Sequence, residues 1–422
     1  MSAALTVSIT INAADTVGVV GSVGLAGGLD SVRYNADGSR AFVVSTVKDS
    51  LDRVTSTRVA VVDTATGATL ATPITLSGQI VDININDARA GIISTAANGG
   101  TAFTTTLTTL DVTTGQTVRT QTFNGTLASI QRPNDATAVL ATRVQTSPTS
   151  APITTVSFVD TYTGTLKGDT LTFTGDVYDI VFGRQGHAVI AYTNQLDNRA
   201  YFAVFNTIDG LQRDQTRILP GTLGLPETMT HNAFLIDPPG ANPATAVIVT
   251  NSGGQGSPIK TNLTTIDLDT GLPIRTQVID DRVHTVQIDE TTATAYVITD
   301  VVTQLNVVTN TRFSAINTTT GTQIGTTLTV AGQYDNLAIN ATHNRAVFTY
   351  TDTTGAAHMA VIDTATATQT GQTINLPGQS TNNLILTNDG TQAAIITTAN
   401  NKGTLTTTIT TINLGNDEAL EI

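Results

Sequence analysis

The chain has 422 residues with neither cysteine nor tryptophan, which removes disulfides, thiolate nucleophiles, cysteine metal sites and iron–sulfur clusters. Its 33 acidic residues outnumber 20 Lys and Arg, and a net charge of −13 would repel a phosphate backbone, so nucleic acid is not an expected partner. No apolar run approaches the roughly 18 residues that cross a bilayer as a helix, and membrane insertion is not expected.

The N-terminus, Met1 to Ser8, lacks a basic region followed by a sustained apolar one, so no signal peptide is read there; the protein is cytosolic or a leader precedes this sequence. Abundant Thr, Val and Ile favour strands, because a branched Cβ packs well on a pleated surface. The fold class expected is therefore all-β.

Two β-length runs come first, Leu5 to Asn12 and Thr16 to Leu25. Four more follow: Ser31 to Tyr34, Arg40 to Ser45, Arg58 to Val62 and Ala68 to Leu76, termed a, b, c and d. The a–b turn is Asn35-Ala36-Asp37-Gly38, and the c–d turn is Asp63-Thr64-Ala65-Thr66-Gly67. Both are rich in residues that stabilise turn backbone angles.

The c–d phrase recurs as Leu110-Asp111-Val112-Thr113-Thr114-Gly115, Val159-Asp160-Thr161-Tyr162-Thr163-Gly164 and Ile266-Asp267-Leu268-Asp269-Thr270-Gly271. Weaker copies start at Phe205-Asn206, Ile316-Asn317, Ile362-Asp363 and Ile412-Asn413, so Asp63 to Asn413 spans seven intervals with a mean of 50 residues. The widest interval, Asn206 to Asp267, holds an extra Asp237-Pro238-Pro239-Gly240 stretch, which reads as a loop insertion. Pro73, Pro273 and Pro377 fall in or beside d, where a residue without an N–H is tolerated at a sheet edge.

Four strands at so regular a period predict an eight-bladed β-propeller of four-stranded antiparallel blades, with a sandwich as the competing fold. The last repeat supplies a (Asn383 to Leu386), b (Ala393 to Thr397) and c (Leu405 to Ile412) but no good d, whereas Thr16 to Leu25 matches a d strand. Closure of the last blade by strands from both ends follows, since it removes two open edges. The expected organisation is one domain, 1–422, with closing strands in 1–25, repeated blades in 26–403, and a closing strand and tail in 404–422. Leu5 to Asn12 is then one c strand too many, either an extra outer strand or a displaced copy.

Arg40-Ala41-Phe42-Val43-Val44-Ser45, Val59 to Gly67 and Ala295-Tyr296-Val297-Ile298-Thr299 resemble the YVTN-type β-propeller repeat of bacterial and archaeal surface proteins. The resemblance covers nearly the whole chain and implies an extracellular or cell-surface location, which the low charged fraction of 13% also suggests. It departs in having longer b–c loops and few intact Tyr-Val-Thr-Asn tetrads. Lactonase-like and cofactor-binding propellers belong among the relatives it implies, but no motif carries over from them, and no cofactor is expected.

Long, dissimilar b–c loops are read at Thr46 to Thr57, Arg143 to Ile153, Asn251 to Thr261 and Asp300 to Thr311. Variable loops on a rigid scaffold are where recognition usually resides. In a propeller, the first residues of the a strands ring the channel mouth on that same face. Asp30, Asp82, Asp179, His231, His284 and Asp335 are accordingly the candidate binding residues, suited to a polar ligand or a hard cation, or else to satisfying strand ends and ordered water. No catalytic residue and no metal ligand is assigned: the histidines have no close-spaced metal motif, Asp267 to Gly271 lacks the later acids of a calcium loop, and no Gly-x-Ser-x-Gly elbow occurs. The function expected is a non-catalytic binding or structural module for a protein or glycan, with a hydrolase or lactonase-like enzyme at the channel mouth as the alternative.

Overall fold

A computed structural model describes residues 4–13, 16–98, 102–147, 149–223, 231–236, 244–254, 257–303, 307–340, 344–387, 389–401 and 404–414. Every helix or strand among them is a strand. The Pro-rich insertion at 237–240 lies outside the described residues. The chain divides into two compact units: Met1–Val177 with Asn194–Asp197 and Phe205–Gln212, and Tyr178–Thr193 with Asn198–Val204 and Arg213–Ile422.

The first unit opens with a hairpin of Ala4–Ala13 and Thr16–Ala26. Two four-stranded antiparallel sheets follow in a–b–c–d order. One is Gly28–Tyr34, Arg40–Lys48, Val54–Asp63 and Ile74–Ser77; the next is Gln79–Ile85, Arg89–Ala97, Phe103–Asp111 and Thr117–Asn124. Thr126–Asn134, Thr137–Val144 and Ile153–Asp160 continue the series, and the first part of the 17-residue strand Leu166–Phe182 pairs with Ile153–Asp160 as its d strand.

Strand b and the second half of strand c are buried on both faces, which is why Arg40–Lys48 and the end of Val54–Asp63 read as continuous apolar runs, although threonine takes buried places in c strands such as Phe103–Asp111. Successive side chains leave a strand on opposite faces. Phe42, Val44, Val59 and Val61 therefore pack on Ala90, Ile92 and Leu110 of the next sheet, while Ala41, Val43, Ala60 and Val62 pack on Val23 and Leu25 of the hairpin. Ile93, Leu107 and Phe123 in turn meet Ala138, Leu140 and Val159.

The second unit repeats the pattern. Ala233–Ile236, Thr245–Gly254, Ser257–Asp267 and Pro273–Asp280 form one sheet, Arg282–Asp289, Thr294–Val302, Val308–Asn317 and Thr322–Ala331 another, and Gln333–Asn340, Arg345–Thr351, Ala357–Asp363 and Thr368–Asn375 a third. The final sheet, Gln379–Leu386, Gln392–Asn401 and Thr404–Asn413, has three strands. Tyr296, Ile298 and Phe313 pack against Leu337, Ala346 and Phe348, the same face-to-face arrangement as in the first unit.

The Thr16–Ala26 strand pairs along its length with Ala4–Ala13, which fits the surplus N-terminal strand as an extra outer strand. Two expectations change. The d strand read as Ala68 to Leu76 is only Ile74–Ser77, preceded by an isolated Val62–Thr69 bridge, and Pro73 just ahead of it has no N–H to extend the ladder. All four b–c connections are shorter than read, because b and c run on as a paired arm: Thr46 sits opposite Thr57 and Val47 opposite Ser56, Val144 opposite Ile153, Asn251 opposite Thr261, and Asp300 opposite Thr311.

The c–d turns form as read. Asp63 Oδ1 accepts the N–H groups of Ala65 and Thr66 and the Thr66 hydroxyl, and Asp63 Oδ2 accepts from Arg40 at 2.8 Å. Asp111 repeats the pattern with Thr113, Thr114 and Arg89. The Thr66 and Thr114 amides foremost hold these carboxyls below the usual range. Stability from such groups is present above the unfolded carboxyl value, about 3.9, and is lost as pH falls through the lower folded values. Asp37, Asp49, Asp160, Asp214, Asp352 and Asp389 are also lowered, the last to about 2, whereas among the described residues burial raises the carboxyls of Asp281 and Asp335. The lowered groups outnumber the raised ones, so thermal midpoints should hold from pH 7 to about 4 and fall steeply towards pH 2. A midpoint at pH 2 equal to that at pH 5 would show that these turn carboxylates contribute nothing.

Candidate functional site

The a–b pairing slips by one residue near the start of strand a in sheet after sheet: between Leu29 and Ser31, Ile80 and Asp82, Leu127 and Ser129, Val283 and Thr285, and Tyr334 and Asn336. The skipped residues are Asp30, Val81, Ala128, His284 and Asp335. A bulge bends its strand and re-aims a side chain, and such features concentrate next to active sites. Three of the six candidates are thus bulge residues, and Asp82 follows one.

Each bulge adjoins a corner where the chain leaves d for a. Gly27, Gly78, Gly125 and Gly332 have positive φ there, and a Cβ on any of them would meet a strand-b carbonyl oxygen at 2.0–2.4 Å. Asp281 stands at the matching corner before Arg282–Asp289, with φ 82°. A threonine of strand c braces several corners, Thr57 Oγ1 donating to the Gly78 carbonyl at 2.8 Å and Thr311 to that of Gly332 at 2.9 Å.

In the first unit, Asp30 is exposed and accepts from the Ser31 hydroxyl at 3.2 Å, and Asp82 is ion-paired with Arg132. In the second, Asp179 is buried. Its Oδ2 accepts the N–H groups of Asn232 and Ala233 at 2.9 and 3.1 Å, and Oδ1 lies 3.1 Å from His231 Nδ1. His284 Nδ1 is 2.8 Å from Asp300 Oδ2, and its ring meets Tyr334 edge-on at 4.8 Å. Asp335 accepts from Thr351 Oγ1 at 2.8 Å, and burial pushes its carboxyl up; burial likewise pushes the Tyr334 hydroxyl up to about 12.

The structure therefore joins Asp179 to His231, and joins His284 to Asp300, a buried carboxylate not singled out from the sequence. Among the described residues, no three His, Asp or Glu side chains are grouped so as to hold a metal ion.

A different site lies at the b–c end of the first unit. Asn98 and Ala102–Thr104 from one b–c connection, the corner Asn124–Thr126, and Arg143–Ser147 from the next sheet wall a cleft of about 660 Å³. Small-molecule sites span about 300–1,000 Å³ and combine apolar walls with a few placed polar groups. Phe103, 39% accessible, supplies the apolar face. Arg143 Nη1 reaches Asp176 at 3.4 Å, while its Nε is buried, without a hydrogen-bond partner among the described residues. Gln145 Nε2 donates to the Ser150 carbonyl at 3.1 Å.

The same three segments of the repeat form a cleft of about 430 Å³ in the second unit, from Thr354–Ala356, Leu376, Gly378–Gln379 and Thr398–Ala399. Among the described residues, none on its walls is aromatic or charged. The sequence pointed to Arg143 to Ile153 as a recognition loop but not to Asn98 to Phe103, whose connection is short. The signal that would have found it is an aromatic residue opening a c strand of threonines, Phe103-Thr104-Thr105-Thr106.

No family model and no curated protein matches the chain. Among solved structures, it is similar to a eukaryotic initiation factor at 12% identity, over 83% of this chain and 77% of that one, with a TM-score of 0.43. It is also similar to the Dos1 propeller (10% identity, 92% and 93% covered, TM-score 0.34). A third is the β-propeller domain of the Trilobed protease from Pyrococcus furiosus (10% identity, 83% and 95% covered, TM-score 0.30).

Proposed function

We propose that the protein is a β-propeller acting as a non-catalytic binding module, which recognises a protein or glycan outside the cell or at its surface through the end of the sheets that carries the b–c connections. The observation behind this reading is the cleft at Phe103 and Arg143, which combines an accessible aromatic ring with polar side chains on its walls. The hydrolase alternative has less support: Asp82, Asp179 and Asp335 are already committed to Arg132, two backbone N–H groups and Thr351. A catalyst needs a converging acid, base and electrophile.

The fold reading extends to a closed ring of eight blades, with the free edge of Thr16–Ala26 taking Thr404–Asn413 as a second partner. In its favour, the last sheet has three strands where the sheets before it in the second unit have four, and closure would remove an exposed edge.

Replacing residues 145–152 by a tight turn tests the binding reading. Exposed loops tolerate such changes thermodynamically, so the thermal midpoint should move by no more than a few degrees. Binding to whichever ligand the intact chain captures on protein and glycan arrays should fall at least tenfold. Unchanged binding in the shortened chain, together with loss on substituting Asp63 or Asp111 in the c–d turns, would place recognition at the opposite end of the sheets.

A further inference from the structure

We infer that His358 is a proton-operated pin between two of the three walls of the second-unit cleft, joining them when its ring is charged and releasing one when it is neutral. The residue is the second of the c strand Ala357–Asp363, just after the b–c connection. Its Nε2 lies 2.9 Å from Asp352 Oδ2 and its Nδ1 2.9 Å from Asn375 Oδ1, and the ring stacks on Tyr350 with centroids 5.1 Å apart.

Each of the two hydrogen-bond partners belongs to a different wall. Asp352 Oδ1 accepts the N–H groups of Thr354 and Ala356 at 2.8 and 3.0 Å and the Thr354 hydroxyl at 2.7 Å, which sets the Thr354–Ala356 wall. Asn375 immediately precedes Leu376, where the wall that includes Gly378 and Gln379 begins, and the Leu376 N–H donates to the Ala357 carbonyl at 2.8 Å.

This arrangement depends on charge because both ring nitrogens face acceptors, and an imidazole donates from both only as the imidazolium. On losing a proton the ring keeps its N–H towards the carboxylate, the stronger acceptor, and Nδ1 becomes a second acceptor beside Asn375 Oδ1. The bond to the Leu376 wall is then lost.

Few other titratable groups stand around it. Asp352 remains ionised, its carboxyl held well below the usual range by the Thr354 hydroxyl foremost and then by His358. Strand b presents Tyr350, strand d Thr368–Asn375 has no titratable side chain, and Asp335 of strand a is bound to Thr351. In the sheet packed on Tyr350, strands c and d carry Arg312 alone, engaged by Asp281, while His284 and Asp300 of strands a and b bond to each other. On the other face, the strands Gln379–Leu386, Gln392–Asn401 and Thr404–Asn413 have no titratable side chain.

The test is amide hydrogen exchange of the full chain, read at Leu376 by NMR between about pH 5 and 8, where an ordinary histidine changes charge, and corrected for the intrinsic rate at each pH. Protection of the Leu376 N–H should fall about five- to tenfold across that range, the scale of one hydrogen bond. His358→Gln, which takes up no proton, should hold one level of protection throughout. Asn375→Asp, whose carboxylate favours the charged ring, should move the fall to higher pH. The inference is overturned if protection in the unmodified chain does not vary with pH, the result if the Asn375 amide merely turns over to donate to Nδ1, or if His358→Gln shows the same fall. Should His358→Gln fail to fold, Asn375→Asp decides, and a fall at the unmodified chain's pH overturns the inference.

Discussion

Removing residues 1–26 is expected to lower the thermal midpoint by on the order of 10 °C, whereas removing 1–13 alone should cost only a few degrees. Val23 and Leu25, 6% and 2% accessible, cover Ala41, Val43, Ala60 and Val62 of the first sheet. Burial of a Val or Leu side chain is worth about 1.5–3 kcal/mol, and each kcal/mol shifts the midpoint of a unit of roughly 150–250 residues, the size of the first unit, by about 2–4 °C. The longer truncation removes that cover outright. The shorter one removes only the partner of Thr16–Ala26, and if the proposed ring closure holds, Thr404–Asn413 supplies a ladder on its other edge. Scanning calorimetry of the two truncations, with circular dichroism to follow β content, separates the cases. Equal, large losses would mean that Ala4–Ala13 is the sole partner of that strand and would reject closure; no loss in either would show that the hairpin contributes nothing to the first sheet.

The strands that carry the core were legible because burial on both faces leaves a continuous apolar imprint: Arg40 to Ser45 and Arg58 to Val62 each fall inside an observed strand. The c–d turns were legible because their hydrogen bonds are local, Asp63 to Thr66 and Asp111 to Thr114. Outer strands left a weaker trace. Thr117–Asn124 exposes nearly every side chain, so nothing in its pattern opposes a wrong boundary.

The site was least legible. Asp82 meets Arg132 from 50 residues away, and His284 meets Asp300 only because a bulge lets the strand pairing skip it. The Phe103 cleft is assembled from three segments of two sheets, and its ring reads in sequence as the first residue of a core strand. A residue's role at such a place depends on where the corner sets it down, and the corner's own signal is a glycine rather than a chemical group.

That corner makes a sharp prediction. Gly78→Ala is expected to destabilise the protein by about 3–5 kcal/mol, and Gly38→Ala by only about 1–2 kcal/mol. Both glycines have left-handed φ, 73° and 71°, so each substitution meets the same penalty for placing a Cβ in that region. Their surroundings differ. A Cβ at position 38, in the a–b turn, would find no atom within 4 Å, whereas at position 78 it would lie 2.0 Å from the Thr95 carbonyl oxygen and 2.6 Å from Ala96 Cα. Those are backbone atoms of strand b, held by pairing to Gln79–Ile85 and Phe103–Asp111, and cannot yield as a flexible side chain would. Relief would require the corner to move away, taking with it the Thr57 brace on the Gly78 carbonyl and the bulge that sets Asp82. Denaturant titration of the two variants measures the difference. Equal losses would show that the corner adjusts freely and that close backbone approach does not fix where each strand a begins.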